Sequence, residues 1–218
     1  MYDEVVAALE SGPSVRRLEQ SVFDRLAGFF RLRIEELLTT SARKHPLGFT
    51  YAADKLSAAM SVRYHLWPAD WSVPEAALAA DLHDHSYQLN SLVVGGALMH
   101  ETFRTDPDRE GAFEVLEVEY QDGTSVLRHT GHLLKLLEET RETHEAGTAY
   151  RLQVGQIHRV RAIRQPCATL VLTIMPTIVH APRVLTPAGT ASPGLNARPL
   201  LTAQEIAEAR GALSDLFD

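Results

Sequence analysis

The sequence has one cysteine, no long apolar run and no block of like charge. Because Cys167 stands alone, an intramolecular disulfide framework and a zinc site built on paired cysteines are both excluded. No segment approaches the ~20 apolar residues of a membrane-spanning helix, and the first residues lack the basic head and apolar core of a signal peptide. We therefore expect a soluble, cytoplasmic protein without a membrane partner.

The charge balance gives no reason to expect nucleic acid as a partner. The formal net charge is −7 and the sequence pI is about 5.8, whereas nucleic-acid-binding domains carry an excess of basic residues. The chain has 218 residues, of which 45% are hydrophobic. That is enough for one domain with a sizeable core.

The two ends of the chain read as helical. From Ser14 to Leu38, apolar residues recur at spacings of three and four, which is typical of an amphipathic helix. Near the other end, Thr202 and Glu205 fit a capping box at the start of a helix over 202–217. We predict a helical N-terminal extension over 1–60, a β-barrel over 61–180, and a loop with a C-terminal helix over 181–218.

The middle of the chain has the character of strands. Segment 61–68 ends at a proline, and 89–96 ends at a glycine pair that reads as a turn. Two apolar arms flank Asp122-Gly123 in segment 113–130, which predicts a hairpin. Segment 167–176 is rich in β-branched residues. Short strands separated by turns predict an all-β sandwich or barrel.

Ten histidines are the unusual feature of the composition. On a strand, His83 and His85 would point to the same side, so their imidazoles would converge while Asp84 faces away. A third ligand must come from elsewhere, and His158 is the best candidate because Gly155 makes a turn just before it. Such a set suits Fe, Zn, Ni or Cu.

These motifs resemble the cupins, small jelly-roll barrels whose first motif carries H-x-H, a glutamate and a glycine. Here that motif reads His83-Asp84-His85 followed by Gly95, and the second motif reads 154–158, VGQIH. The motif glutamate is absent, since Leu89 and Asn90 stand in its place, and the motif proline is Val154. The resemblance implies a cupin-type double-stranded β-helix with helical additions at both ends, and a three-histidine metal site. Cupins often form homodimers.

The stretch around Gly155–Val160 is also similar to the cysteine dioxygenase (thiol dioxygenase) branch of the cupins, which has a three-histidine iron site. This resemblance implies an Fe(II) and O₂-dependent oxidation of a small amino-acid-like or thiol substrate. Cys167 lies outside the stretch after the H-x-H pair, where some members cross-link a cysteine to a tyrosine. Two alternatives stay open. One is a zinc or other divalent-metal Lewis-acid cupin of natural-product biosynthesis, including nitrogen–nitrogen bond formation. The other is a non-enzymatic ligand-binding cupin.

Four further residues are candidates for catalysis or substrate binding. Tyr87 and Asn90 follow the H-x-H pair and either face the cavity or lie in loop and turn surface. Arg63 shares a strand face with His65 and Trp67, and it either binds a substrate carboxylate or is solvated. Tyr150 either supplies a phenol or packs the barrel. His100 is either a fourth ligand or a hydrogen-bonded strand histidine.

Overall fold

A computed structural model describes residues 1–69, 71, 73, 81–121, 124–178, 180–190 and 196–218. Most of this chain forms antiparallel strands, and helices lie near both ends. The strands are β1 Val15–Arg17, β2 Arg43–His45, β3 Phe49–Lys55, β4 Met60–Trp67, β5 Leu82–His83, β6 Gln88–Pro107, β7 Phe113–Gln121, β8 Thr124–Glu145, β9 Thr148–Leu152, β10 Ile157–Ile174, β11 Arg183–Pro187 and β12 Asn196–Ala197. The described helices are α1 Tyr2–Glu10, α2 Gln20–Leu38 and α3 Ala203–Phe217.

The sheet closes on itself. Neighbouring strands pair in the order β6, β8, β7, β11, β5 and β10, and β10 then pairs with β6 again. The strands β4, β3 and β2 continue the sheet beyond β10, while β9 and β1 continue it beyond β6. This antiparallel barrel with terminal helices confirms the predicted fold class.

The two faces of the sheet have different neighbours. On β4, Val62, Tyr64 and Leu66 belong to the core that contains the helices, whereas Trp67 belongs to a second core inside the barrel. The same alternation on β10 sends Leu170 to the helices, because successive side chains of a strand point to opposite faces. Within the described residues, no helix is both long enough and apolar enough to cross a lipid bilayer.

The N-terminal prediction needs two corrections. Residues 15–17 form β1 instead of the first turn of a helix, because Val15 pairs with Tyr150 and Arg17 with Thr148. The helix α2 therefore begins at Gln20. The residues of β2 and β3 belong to the sheet, so the segment 1–60 is only partly helical.

The predicted C-terminal loop also contains a strand of the barrel. Val184 and Leu185 of β11 pair with β5 on one side and with β7 on the other. The five residues of β11 show no alternation of apolar and polar residues, and the segment around them is rich in proline, glycine and alanine, so the sequence predicts a loop there. The helix α3 forms as predicted, and Thr202 and Glu205 make the capping box. Part of the loop, 191–195, lies outside the described residues.

Gly95 and Gly96 lie within β6 and do not form a turn. Gly96 has φ +72°, and a side chain there would meet the backbone of Arg164 and Pro166. The register between β6 and β10 shifts at this point. The glycine pair therefore allows the backbones of two paired strands to approach closely at an irregularity of the ladder. The arms β7 and β8 pair as predicted, and their turn residues Asp122-Gly123 lie outside the described residues.

Candidate metal centre

Three histidines converge where β5 meets β10. His83 of β5 stands opposite His158 of β10 in the strand register, and His85 follows two residues after His83. Their ligand nitrogens all lie within 4.8 Å of one another. His85 Nε2 and His158 Nε2 are 3.2 Å apart. In the described part of the chain, this is the one group of His, Cys, Asp or Glu side chains placed to share an ion.

The donor set fits a divalent cation. Two imidazole nitrogens bound to one ion at about 2.0–2.1 Å lie roughly 3 Å apart when they are adjacent ligands. That separation is close to the one between His85 and His158. Burial lowers the pKa of all three imidazoles. They are therefore neutral near pH 7 and present lone pairs to a metal.

Hydrogen bonds orient two of these rings. His83 Nδ1 lies 2.9 Å from the carbonyl oxygen of Asp81, so Nδ1 carries the proton and Nε2 is left for the metal. His158 Nδ1 lies 3.2 Å from Nε2 of His100. His100 therefore contacts His158 at the ring nitrogen that does not face His85, which is the place of an orienting partner in a metal site. The carboxylate of Glu101, the next residue along β6, accepts hydrogen bonds from Arg159 and Arg141.

His100 begins a row of buried rings. His144 stacks on Tyr150 with ring centroids 4.4 Å apart, and Tyr150 lies 4.8 Å from His100. Burial lowers the pKa of His100 to about 4, and it raises the pKa of Tyr150 to about 12. His100 is thus a neutral hydrogen-bond partner. Tyr150 lines the cavity and keeps its proton.

The site opens into a cavity of about 180 Å³. Arg63, His65 and Trp67 of β4 all line it, so their shared face is the inward one. Tyr87 also lines it, and its ring stacks on His85 with centroids 4.8 Å apart. Arg63 donates to the Tyr87 hydroxyl, and its guanidinium carbon lies 4.4 Å from the ring centroid. Burial raises the pKa of Tyr87, which keeps the phenol protonated.

Asn90 is not at the cavity. Its neighbours Leu89 and Ser91 line the space, and strand alternation turns Asn90 to the opposite face. There its amide oxygen accepts hydrogen bonds from Arg151 Nε at 2.8 Å and from Gln88 Nε2 at 3.1 Å. Its position in the motif makes Asn90 a candidate for the cavity wall, but the pleat of β6 points its side chain away from the cavity.

Some cavity residues had no signal in the sequence. His45 of β2, Tyr120 of β7 and Arg198 all line the space, and they come from segments for which the sequence predicts a helical extension, a hairpin and a loop. Only the pairing of β2 with β3 and the closure of the barrel bring them together. Arg183 of β11 binds Asp84 through its backbone N–H and Nε. Because the sequence predicts a loop where β11 lies, it gives no reason to expect this ion pair.

No family model matches the chain, and no curated protein matches it. Among solved structures, oxalate decarboxylase from Lactobacillus farciminis is 14% identical with a TM-score of 0.36, and the match covers 64% of this chain and 32% of that one. The DMSP lyase DddQ from Ruegeria pomeroyi is 14% identical with a TM-score of 0.43, covering 86% and 79%. Procruciferin, an 11S globulin from Brassica napus, is 10% identical with a TM-score of 0.37, covering 64% and 31%.

These likenesses are distant. The chain spans about a third of the length of the oxalate decarboxylase that it matches. Each TM-score is below 0.5, so the likenesses assign neither a family nor an activity. The class of protein follows instead from the molecule itself, which is an antiparallel β-barrel with a group of three histidines, one buried and two half-buried, at the wall of a cavity.

Proposed function

We propose that this protein is a mononuclear metal-dependent enzyme of the cupin type, in which His83, His85 and His158 hold a divalent ion. The observation that supports this best is the convergence of three neutral imidazoles at the wall of a small cavity, one from β5, one from the residues just after β5 and one from β10. The metal site and the cavity share residues, so a small molecule in the cavity would meet the ion directly. This supports a small-molecule substrate.

The finer proposal is Fe(II) and an O₂-dependent oxidation of a small amino-acid-like or thiol substrate. When bound, Fe(II) would supply redox chemistry with O₂. Three neutral ligands leave its charge uncompensated and leave coordination positions open for substrate, which suits this role. The resemblance of the histidine motifs to thiol dioxygenases also supports it.

The chain's own side chains would position the substrate. Tyr87 is protonated, and its ring lies against His85, so its hydroxyl can donate a hydrogen bond at the cavity. Arg63 fixes that hydroxyl by donating to it. Leu89, Trp67 and Val171 line the same space with apolar surface, which displaces water and strengthens polar contacts inside.

A zinc-dependent Lewis-acid reaction is the second candidate. The specific observation in its favour is Tyr87, since a protonated phenol beside a ligand histidine can act as a general acid. Zinc would polarise a substrate oxygen. The two candidates share the same ligands and differ in their need for O₂.

Metal analysis tests the proposal. Protein purified without added metal should contain about one divalent ion per chain, and His158→Ala should lose it, because two imidazoles are left. His132→Ala, at an exposed position of β8, should keep the ion. Iron together with substrate-dependent O₂ uptake supports the oxidation, while zinc without O₂ uptake refutes it. Full metal content in His158→Ala would overturn the site.

A further inference from the structure

Residues 196–200, which we call the strap, run between two strands that are not neighbours in the sheet, β8 and β2. At the start of the strap, β12 pairs with the beginning of β8. At its end, the backbone N–H of Lys44 in β2 donates to the carbonyl oxygen of Pro199 at 3.0 Å, and Leu200 pairs with Arg43 in an isolated bridge. The backbone of the strap is therefore held at both ends.

The strap lies at the mouth of the cavity. Ser125 of β8 and His45 of β2 both line the cavity, so the strands that hold the strap belong to its wall. Tyr120 also lines the cavity and is 59% exposed, so it marks where the space meets solvent. Arg198, in the middle of the strap, lines the same space and packs beside Tyr120. The side chain of Arg198 therefore reaches from the strap into the mouth.

Two aromatic rings from different strands hold the Arg198 side chain. Its guanidinium carbon lies 5.2 Å from the ring centroid of Tyr120 in β7 and 5.8 Å from that of Tyr51 in β3. The strands β3 and β7 are not neighbours in the sheet, so one side chain joins two separate parts of the rim. Burial lowers the pKa of His83, and the positive charge of Arg198 lowers it further. The guanidinium therefore lies between solvent and the candidate metal centre.

The contacts that hold this side chain are weak. Arg198 Nε is buried without a hydrogen-bond partner among the described residues, and an unpaired buried donor is costly. The two ring contacts oppose that cost, but each cation–π contact contributes little at a partly exposed site. Exposed side chains change rotamer within nanoseconds. The backbone of the strap is thus fixed, while the guanidinium can swing away from the rings at low cost.

We propose that Arg198 is a side-chain gate that selects, by size, the molecules that enter the cavity. With the guanidinium between Tyr51 and Tyr120 the mouth is narrow, and it widens when the side chain swings into solvent. Small molecules pass most readily, because they need the least displacement of the gate. This inference goes beyond the proposed function, since it holds for any metal or ligand that the cavity takes.

A thiol placed inside the cavity measures the gate without a metal. His65→Cys puts that thiol on the part of the wall that β4 contributes, at a residue outside the group of three histidines. The metal-free full chain is treated with iodoacetamide or with the larger N-ethylmaleimide, both uncharged, and each rate is divided by the rate after unfolding in denaturant. We expect the native chain to slow both reagents, and N-ethylmaleimide more.

Removing the gate should open the cavity. Arg198→Ala, added to His65→Cys, should raise the native rate about five- to thirtyfold, because two cation–π contacts no longer hold the mouth narrow. The gain should be larger for N-ethylmaleimide. Arg198→Lys keeps a cation that can lie over the rings, so its effect should be smaller. Arg128→Ala removes an arginine from an exposed position of β8 and should change neither rate.

Tyr120→Leu distinguishes a gate from a simple widening of the mouth. Leucine keeps apolar bulk but offers no ring to the guanidinium, so Tyr120→Leu alone should raise the labelling rate. In the presence of Arg198→Ala it should add less than about twofold, since the contact that it breaks is already absent. Effects of the two substitutions that multiply independently would contradict the gate.

Cys167 is the internal control for folding. It is fully buried, so mass spectrometry should find the label only on the introduced thiol in every folded variant. If Arg198→Ala also labels Cys167, that variant has loosened, and Arg198→Lys and Tyr120→Leu decide the question. Equal rates with and without Arg198 in chains whose Cys167 stays unlabelled would overturn the proposal. The labelling uses metal-free protein, so a failure of the proposed metal enzyme would leave its result unchanged.

Discussion

His158 can present Nε2 to a metal only when its proton is on Nδ1. The group that meets Nδ1 is His100 Nε2, at 3.2 Å, and both rings are buried. His100 must then accept, so its own proton lies on Nδ1. The low pKa of His100 is consistent with this neutral state. One hydrogen bond between two imidazoles thus fixes both tautomers and the direction of the ligand.

Replacing His100 should therefore weaken metal binding at the candidate site. We expect His100→Phe to lower metal affinity by about ten- to a hundredfold, because the ring is kept and the acceptor is lost. His100→Gln offers an amide oxygen to His158 Nδ1 and should recover part of the loss. Competition with a coloured chelator measures the affinity. Unchanged affinity in a folded His100→Phe would show that His158 needs no partner.

Cys167 is a second residue whose chemistry is settled by its surroundings. It is fully buried in the barrel core, and burial raises its thiol pKa to about 12. The thiol therefore behaves as a small apolar group. A thiol-specific reagent added to the native protein should react with less than about a tenth of the chains that react after unfolding in denaturant. Rapid labelling of the native chain would contradict this.

At the scale of elements, the irregular pairing of β6 with β10 depends on Gly96. A Cβ there would lie 2.8 Å from Cys167 Cα and closer still to two carbonyl oxygens. The positive φ adds a second obstacle, since residues other than glycine rarely adopt it. The close approach lets β10 stay paired with β6 on both sides of the register shift. Of the two halves of β10, the first carries the candidate ligand His158.

Gly96→Ala should destabilise the fold by about 3 kcal/mol or more, because the φ strain and the clash act together. Gly131→Ala is the matched control, since Gly131 has φ +71° and no described atom lies within 4 Å of the position that a Cβ would occupy. It should cost only about 1 kcal/mol, the strain alone. Denaturant unfolding gives both values. Equal losses would mean that the close approach contributes nothing.

Elements were predicted well where the local signal was complete. Gly155 adopts φ +72° and β10 begins at Ile157, so the turn and the strand start before His158 follow from the sequence. Val15–Arg17 was assigned to a helix because its apolar spacing continues that of α2, and only pairing with β9 makes it a strand. The glycine pair inside β6 reads as a turn in the sequence because a register shift between two paired strands leaves no pattern in one strand alone.

The same limit applies to the site. His83, His85 and His158 were predictable, because each stands in a motif with its own turn and strand. Arg198, which lines the cavity, was not, since its position there depends on where a distant segment lies after the barrel closes. Asn90 was a candidate by its position in the motif, and the register of β6 with β9 turned it towards Arg151.

At the scale of the whole molecule, one carboxylate joins the N-terminal helices to the sheet. Asp54 of β3 accepts hydrogen bonds from Tyr2 of α1 at 2.7 Å, from Arg33 of α2 at 2.7 and 2.8 Å, and from Tyr64 of β4 at 2.9 Å. Arg33 chiefly lowers the pKa of Asp54, to about 2. The helices thus meet the barrel at a charged contact beside the apolar core.

This contact should appear in the acid stability of the protein. A carboxyl whose folded pKa is depressed stabilises the fold above its unfolded pKa of about 4, and that contribution is lost as pH falls towards about 2. The free energy of unfolding should lose roughly 2 kcal/mol across this window through Asp54. In Asp54→Asn the corresponding loss should vanish, while Asp3→Asn, at an exposed position, should follow wild type. Parallel curves for Asp54→Asn and wild type would contradict it.

The closed ring of strands has a consequence for how the cell makes this protein. His85 and His158 are 73 residues apart in the chain. At about 5–20 residues per second, a ribosome needs roughly 4–15 s to synthesise that interval. Since β5 is held between β10 and β11, the last of its partners is made later still. The three histidines therefore come together only after β10 has been made, so an ion at the candidate site would bind to a chain whose barrel is closing or already closed.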